Sequence, residues 1–155
     1  MLSVDVRKAN RGDAEAILNC LSSAFEPHRE QYTPDAFRDT VLCAETLEHR
    51  FQEMTILVAV VEGQIVGTIG YQAHGADGHL RGMAVLPDRQ GTGAASALLQ
   101  VAESRLRDLG CLHIALDTTE PLERAIRFYE KQGFRASGQI RDFFGMRLHE
   151  YVKRL

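Results

Sequence analysis

Cysteine patterns that build disulfide scaffolds or zinc sites are missing. The 3 cysteines of the 155-residue chain, Cys20, Cys43 and Cys111, are odd in number and widely spaced, with no CxxC pair. That pattern reads as reduced thiols in a cytoplasmic protein. Proline is scarce (4 residues) and glycine moderate (13 residues), too few for a collagenous or Pro/Gly-rich disordered chain. A basic excess is also lacking: 18 Lys and Arg stand against 21 Asp and Glu, a net charge of −3, so nucleic acid is not an expected partner. The longest apolar run, Ile56 to Val61, is strand-sized and far short of the ~18–20 residues of a membrane span. The opening MLSVDVRKANRGD carries no apolar h-region, so neither a secretory leader nor membrane association is expected.

The rest of the composition is ordinary for a globular fold, with 45% hydrophobic and 25% charged residues. No repeat, low-complexity tract or linker interrupts the chain, so residues 1–155 are expected to form a single domain. A chain of this length buries roughly two-thirds of its unfolded surface, without help from disulfides or a metal. Leu2, Val4 and Val6 alternate with polar residues, the period of a strand from Leu2 to Arg7. Asn10 and Asp13 have capping-box spacing, and Ala14, Ile17, Leu18 and Leu21 form the apolar stripe of a helix. Between Ala24 and Thr55 the breakers Pro27 and Pro34 predict helices separated by a turn.

Strands are expected from Ile56 to Val61 and Gln64 to Ala73, joined by Glu62-Gly63, and from His79 to Leu86. The strongest helix runs from Gly91 to Leu109, with Gly110 placed as its terminating glycine. A strand (Leu112 to Leu116), a helix (Pro121 to Gln132) and two final strands (Phe134 to Ile140, Phe143 to Tyr151) complete the order. This order predicts an α/β fold: a mixed, mostly antiparallel central sheet of about seven strands flanked by helices, with one βαβ unit in the middle.

Chemistry concentrates in Val85-Leu86-Pro87-Asp88-Arg89-Gln90-Gly91-Thr92-Gly93-Ala94-Ala95-Ser96, where a buried strand enters a glycine loop that opens into a helix. Amides at a helix start lack intrahelical partners and lie at the positive end of the dipole, a preformed phosphate site. No Lys-Ser/Thr pair follows the glycines, so the loop is not a P-loop. Ser96 stands where a dinucleotide fingerprint needs glycine or alanine, and the chain does not begin with a βαβ unit. The loop alone is equally compatible with a plain strand–helix turn. His74, Asp77 and His79 straddle a hairpin turn rather than share a helix face, so no metal is expected.

Gln90-x-x-Gly93-x-Ala95 resembles the acetyl-coenzyme A signature of the GNAT N-acetyltransferases, Q/R-x-x-G-x-G/A. Ala125-Ile126-Arg127-Phe128-Tyr129-Glu130-Lys131-Gln132-Gly133-Phe134 resembles that family's A-x-x-F-Y-E-K-x-G-F block. With the strand from Leu80 to Val85, the two segments follow the family's order over about residues 56–140. The resemblance implies the GNAT fold and acetyl-CoA as cosubstrate. It places the pantetheine arm along the backbone of Met83, Ala84 and Val85, with the Met83 amide donating to the acetyl carbonyl. It places the pyrophosphate on the amides of Gln90, Gly91, Thr92, Gly93, Ala94 and Ala95, with Arg89 adding charge. Tyr129 corresponds to the family's tyrosine that protonates the leaving thiolate, and Phe128 to a wall of the pantetheine channel.

His79 stands where some members place a glutamate base, and a histidine is a competent base at neutral pH. Leu122 occupies a position that is often asparagine, leaving Thr118 or Thr119 to supply the missing polar contact. The implied activity is transfer of an acetyl group from acetyl-CoA to a primary amine, directly and within a ternary complex. The alternative is a catalytically weak CoA-binding sensor of the same fold. The acceptor site is expected between Ala24 to Arg50 and Gln139 to Tyr151, including Phe25, Glu26, His28, Tyr32, Phe37 and Glu45, with Asp142, Phe143 and Phe144 opposite. Aromatic and acidic groups there suit a cationic amine, whether a small molecule or a protein amine. Pairing of two copies through the final strands would give a homodimer.

Overall fold

The computed structural model describes residues 3–155, so Leu2 of the predicted first strand lies outside the described residues. Along the chain come β1 (Asp5–Lys8), α1 (Ala14–Phe25), α2 (Pro34–Thr40), α3 (Ala44–Glu53), β2 (Thr55–Val61), β3 (Gln64–His74) and β4 (Asp77–Val85). They are followed by α4 (Ala94–Asp108), β5 (His113–Thr119), α5 (Glu123–Lys131), β6 (Arg135–Phe143) and β7 (Met146–Arg154). The strands form one seven-stranded sheet in the order β1-β2-β3-β4-β5-β7-β6. Neighbours are antiparallel except β4 and β5, which run parallel because α4 carries the chain back between them.

Local signals account for most boundaries. The Asp13 carboxylate accepts the Asn10 amide at 2.9 Å ahead of α1, and Thr33 Oγ1 accepts the Ala36 amide at 3.2 Å to cap α2 behind Pro34. The helix predicted from Gly91 starts only at Ala94, because Gly91 and Gly93 adopt φ of 80° and 91°, outside the helical range. β4 begins at Asp77 rather than His79. Gly78, which reads as a turn residue, instead pairs with Ala73 on one side and Ile114 on the other. A Cβ there would stand 2.9 Å from both Ile114 and Leu106, so the glycine lets β5 and α4 close on β4. β5 runs on to Thr119, its polar end hidden by pairing with β7 through Asp117↔Glu150 and Thr119↔Leu148.

Gly78 faces Leu106 of α4, whereas Arg81 of the same strand reaches Asp39 of α2. Alternation along a strand therefore puts α4 and α2 on opposite faces of the sheet. Under α4 the core contains Leu98, Leu99 and Leu106, each fully buried; α1 contributes Ile17 and Leu21. Burial of each such side chain stabilises the fold by about 1.5–3 kcal/mol.

Candidate functional site

β4 and β5 pair only at Asp77↔His113, Gly78↔Ile114 and His79↔Ala115, and then diverge. Their outer edges stay bonded, β4 to β3 and β5 to β7. A bulge drives the divergence. Thr68 faces Ala84 and Gly70 faces Arg81, so Gly82 and Met83 together oppose Ile69, with Gly82 at φ 71°. Such a bulge bends its strand and increases its twist. Just after it, the Leu86 amide donates to the Val66 carbonyl at 2.8 Å. By alternation, the polar groups of Val85 point away from β3 into the gap, where its carbonyl accepts Gln90 Nε2 at 3.5 Å. Ala84 is buried against the core, and Met83 is half-buried beside the gap. The gap opens into a cavity of ≈ 920 Å³ that reaches both faces of the sheet.

The glycine loop closes one end of this cavity. The amides of Gly91, Thr92, Gly93, Ala94, Ala95 and Ser96 have no hydrogen-bond acceptor among the described residues; the first helical bond runs from the Ala97 amide to the Gly93 carbonyl. The Gln90 amide, expected in the same row, instead turns back to the Pro87 carbonyl at 3.5 Å. The Thr92 hydroxyl donates to the Arg89 carbonyl, bracing the loop. Arg89 lines the cavity beside it.

α5 supplies the opposite wall. Tyr129 is 7% exposed, wedged edge-to-face between Phe128 (5.5 Å) and Phe134 (5.7 Å), and borders the cavity. Burial raises its phenol well above the ordinary tyrosine range, so the ring holds its proton at any physiological pH. Of the two threonines near Leu122, Thr119 is committed to Tyr32, with the oxygens 2.6 Å apart. Thr118 Oγ1 is buried without a partner among the described residues.

On the far face stand His79 and a set of charges. Burial lowers the His79 pKa; Asp117 opposes this, and Arg81, Arg141 and His74 reinforce it, so the imidazole is neutral at pH 7. Asp117 Oδ2 accepts Arg141 Nη2 at 2.6 Å, while its other oxygen is buried and unpartnered among the described residues. Asp39 takes Arg81 at 2.8 Å. Phe25, His28, Tyr32, Asp142 and Phe143 line this end as expected from their segments. Glu26 and Glu45 do not: Glu26 pairs with Arg29 at 2.8 Å on the surface, and Glu45 is exposed. Phe37 packs behind Tyr32 at 6.1 Å, and Phe144 is exposed at the β6–β7 turn. Arg50, which carries no local sign of function in an amphipathic helix, reaches the cavity from α3.

This wedge, loop and phenol coincide with a match to the acetyltransferase (GNAT) family over residues 14–134, more than half of the chain. The chain belongs to the GNAT family. A curated relative, an uncharacterised N-acetyltransferase of Mycobacterium bovis, is 37% identical over 84 residues, 54% of this chain and 54% of the relative. The chain thus spans about half the length of the curated relatives it matches. Among solved structures, the PaiA N-acetyltransferase of Thermoplasma acidophilum, in complex with coenzyme A, superposes with a TM-score of 0.83 at 18% identity, covering 99% of each chain. A ribosomal-protein-alanine N-acetyltransferase from Brucella melitensis superposes at 0.75 with 24% identity, covering 97% of this GNAT chain and 99% of its own. At those identities the likeness is one of fold. No helix among the described residues is long and apolar enough to cross a membrane.

Proposed function

We propose that this GNAT chain is an acetyl-CoA-dependent N-acetyltransferase that acts on a primary amine by direct transfer within a ternary complex. One observation carries the reading: a single cavity joins an unpaired strand edge, a row of free amides and a buried, protonated phenol. An elongated thiol ester with a diphosphate along its length fits those features, the diphosphate on the amides and the amide-bearing arm along the strand edge. Acetyl-CoA supplies an activated acetyl group there.

The chain's own residues then divide the work. The amides from Gly91 to Ser96 bind phosphate oxygens, with Arg89 adding positive charge. The backbone of Met83 and Val85 accepts the arm as an added strand, Ala84 keeps that strand seated on the core, and Phe128 forms the facing wall. The Met83 amide donates to the carbonyl oxygen where negative charge grows during attack. A primary amine with pKa ~10.4 arrives protonated; His79, neutral at pH 7, accepts that proton. As the C–S bond breaks, Tyr129 donates its own to the departing sulfur and is restored by the proton that the newly acylated nitrogen sheds. None of the three cysteines lines the cavity, which favours direct transfer over an acyl-enzyme. Free thiols suit a reducing compartment, and we place the protein in the cytoplasm.

The test is release of free thiol from acetyl-CoA with a panel of primary amines, small molecules and peptide N-termini together. Amine-dependent release is the expected result. Tight CoA binding with no amine-dependent release reassigns the chain as a CoA-binding sensor.

A further inference from the structure

Arg50 is 9% exposed, and while its carbonyl accepts the Met54 amide at 2.8 Å, its side chain makes no hydrogen bond and no ion pair among the described residues. Its guanidinium faces the cavity with no bonded counter-charge, and charged side chains this little exposed are ordinarily paired. The nearby carboxylate of Asp39 is engaged by Arg81 at 2.8 Å. The charges acting on Arg50 are Arg81, which opposes its protonation, and Asp39 and Glu53, which favour it; burial lowers its pKa to about 10, leaving it cationic at pH 7.

The guanidinium is also specifically accommodated. A Cβ at Gly82 would stand 2.6 Å from Arg50 Nη1, so the glycine in the β4 bulge opens the space that the guanidinium fills. Arg50 therefore lies beside Met83, at the point of the cavity where transfer is proposed. Phe25, Tyr32 and Thr40 line the same cavity without charge, and the charged neighbours Asp39 and Arg81 are bonded to each other. Of the three aspartates that line the cavity, Asp39 and Asp117 already hold Arg81 and Arg141, and Asp142 accepts the Gly145 amide at 3.4 Å in the β6–β7 turn. Arg89 and Arg124 lie with the glycine loop and α5, toward the other end. The acceptor end thus holds one buried cation that lacks its anion.

We propose that Arg50 is the anion receptor of the acceptor pocket and that the amine acetylated here also carries a carboxylate. The inference rests on the acetyl-transfer reading above and names the class of its acceptor. A guanidinium presents two parallel N–H donors that match the two oxygens of a planar carboxylate. An α- or ω-amino acid would place its carboxylate on Arg50 and its amine toward His79 and Met83. The carboxylate would complete the pair that the folded chain leaves open.

The experiment compares amino acids with their C-terminal amides as acceptors, for the native chain, Arg50→Gln and Arg50→Lys, alongside calorimetry of acetyl-CoA binding to each. The native chain is expected to favour the acids over the amides by about 10- to 100-fold in kcat/KM, the range of a hydrogen bond to a charged group. Arg50→Gln is expected to collapse that ratio towards one, mainly through KM, and Arg50→Lys to leave it intermediate. A purely structural arginine would not move the acid-to-amide ratio. Melting temperature gives a second readout: Arg50→Met removes an unpaired buried charge and is expected to raise it, whereas a structural role requires it to fall.

Equal rates for acids and amides, or no turnover of any acid by a chain that binds acetyl-CoA and acetylates other amines, overturns the Arg50 proposal alone. Failure to bind acetyl-CoA overturns the transferase reading, and the Arg50 proposal with it.

Discussion

Tyr32 Oη and Thr119 Oγ1 lie 2.6 Å apart and buried, joining the turn after α1 to the free end of β5. This bond ties the helical cover of the cavity to one arm of the wedge. Tyr32→Phe leaves the Thr119 hydroxyl buried without its partner, and a loss of about 1–3 kcal/mol in urea unfolding is expected. An unchanged unfolding midpoint would show that the cover is held by packing alone, through Phe25 and Phe37 against the Tyr32 ring.

Tyr129→Phe separates acid catalysis from binding. Removing a positioned general acid is expected to lower kcat by about 10²–10⁴-fold. Calorimetry should find acetyl-CoA affinity little altered. The hydroxyl makes no hydrogen bond among the described residues, so the melting temperature should not fall. A variant with full kcat would place the proton donor elsewhere, with solvent the first candidate.

As the proposed base, His79 is expected to set the acidic limb of the pH–rate profile. Its pKa is depressed by burial, so kcat/KM should hold as pH falls through ~6.5 and decline only below it. His79→Gln should abolish that limb along with most of the rate. Stability moves the same way. The unfolded chain takes up the proton first, so this residue has no effect above about pH 6.5 and destabilises progressively below it. Thermal melts of the native chain and His79→Gln between neutral and acidic pH check the sign, since the two curves should diverge only on the acid side.

Gly78→Val tests the point where β4 and β5 meet. The added methyls must displace Leu106 and Ile114, which would lie 2.9 Å from the first added carbon. Overpacking of this kind costs about 1–3 kcal/mol, read as a lower denaturant midpoint. A midpoint equal to that of the native chain would mean that α4 shifts freely on the sheet.

Much of this architecture can be read from local patterns. The apolar run from Ile56 to Val61, the Glu62-Gly63 turn and the stripe of α1 all translate into observed elements. Gly91 and Gly93 mark the loop, although periodicity carries the helix through them, because apolar spacing does not register a positive φ. Gly78 misleads for the opposite reason: as a residue it signals a turn, while its position demands only the absence of a side chain. The residues proposed to meet the cofactor fall in two short segments and are legible as motifs.

The acceptor side is not legible in this way. Tyr32 meets Thr119 only after the sheet forms, and Arg50 is buried by a bulge on a strand far along the chain. Glu26 and Glu45 looked suited to a cationic amine by composition. Helix rotation turns them to solvent, which no count of charges reveals.

Parallel pairing between β4 and β5 ends at His79 and Ala115, so the slot has a riveted apex and two limbs, each braced on its outer flank. A guest chain sliding between those limbs finishes a ladder instead of prying one open. Entry displaces the 3.5 Å contact of Gln90 Nε2 with the Val85 carbonyl but leaves the bonds on both outer flanks in place, so the sheet need not loosen its own frame.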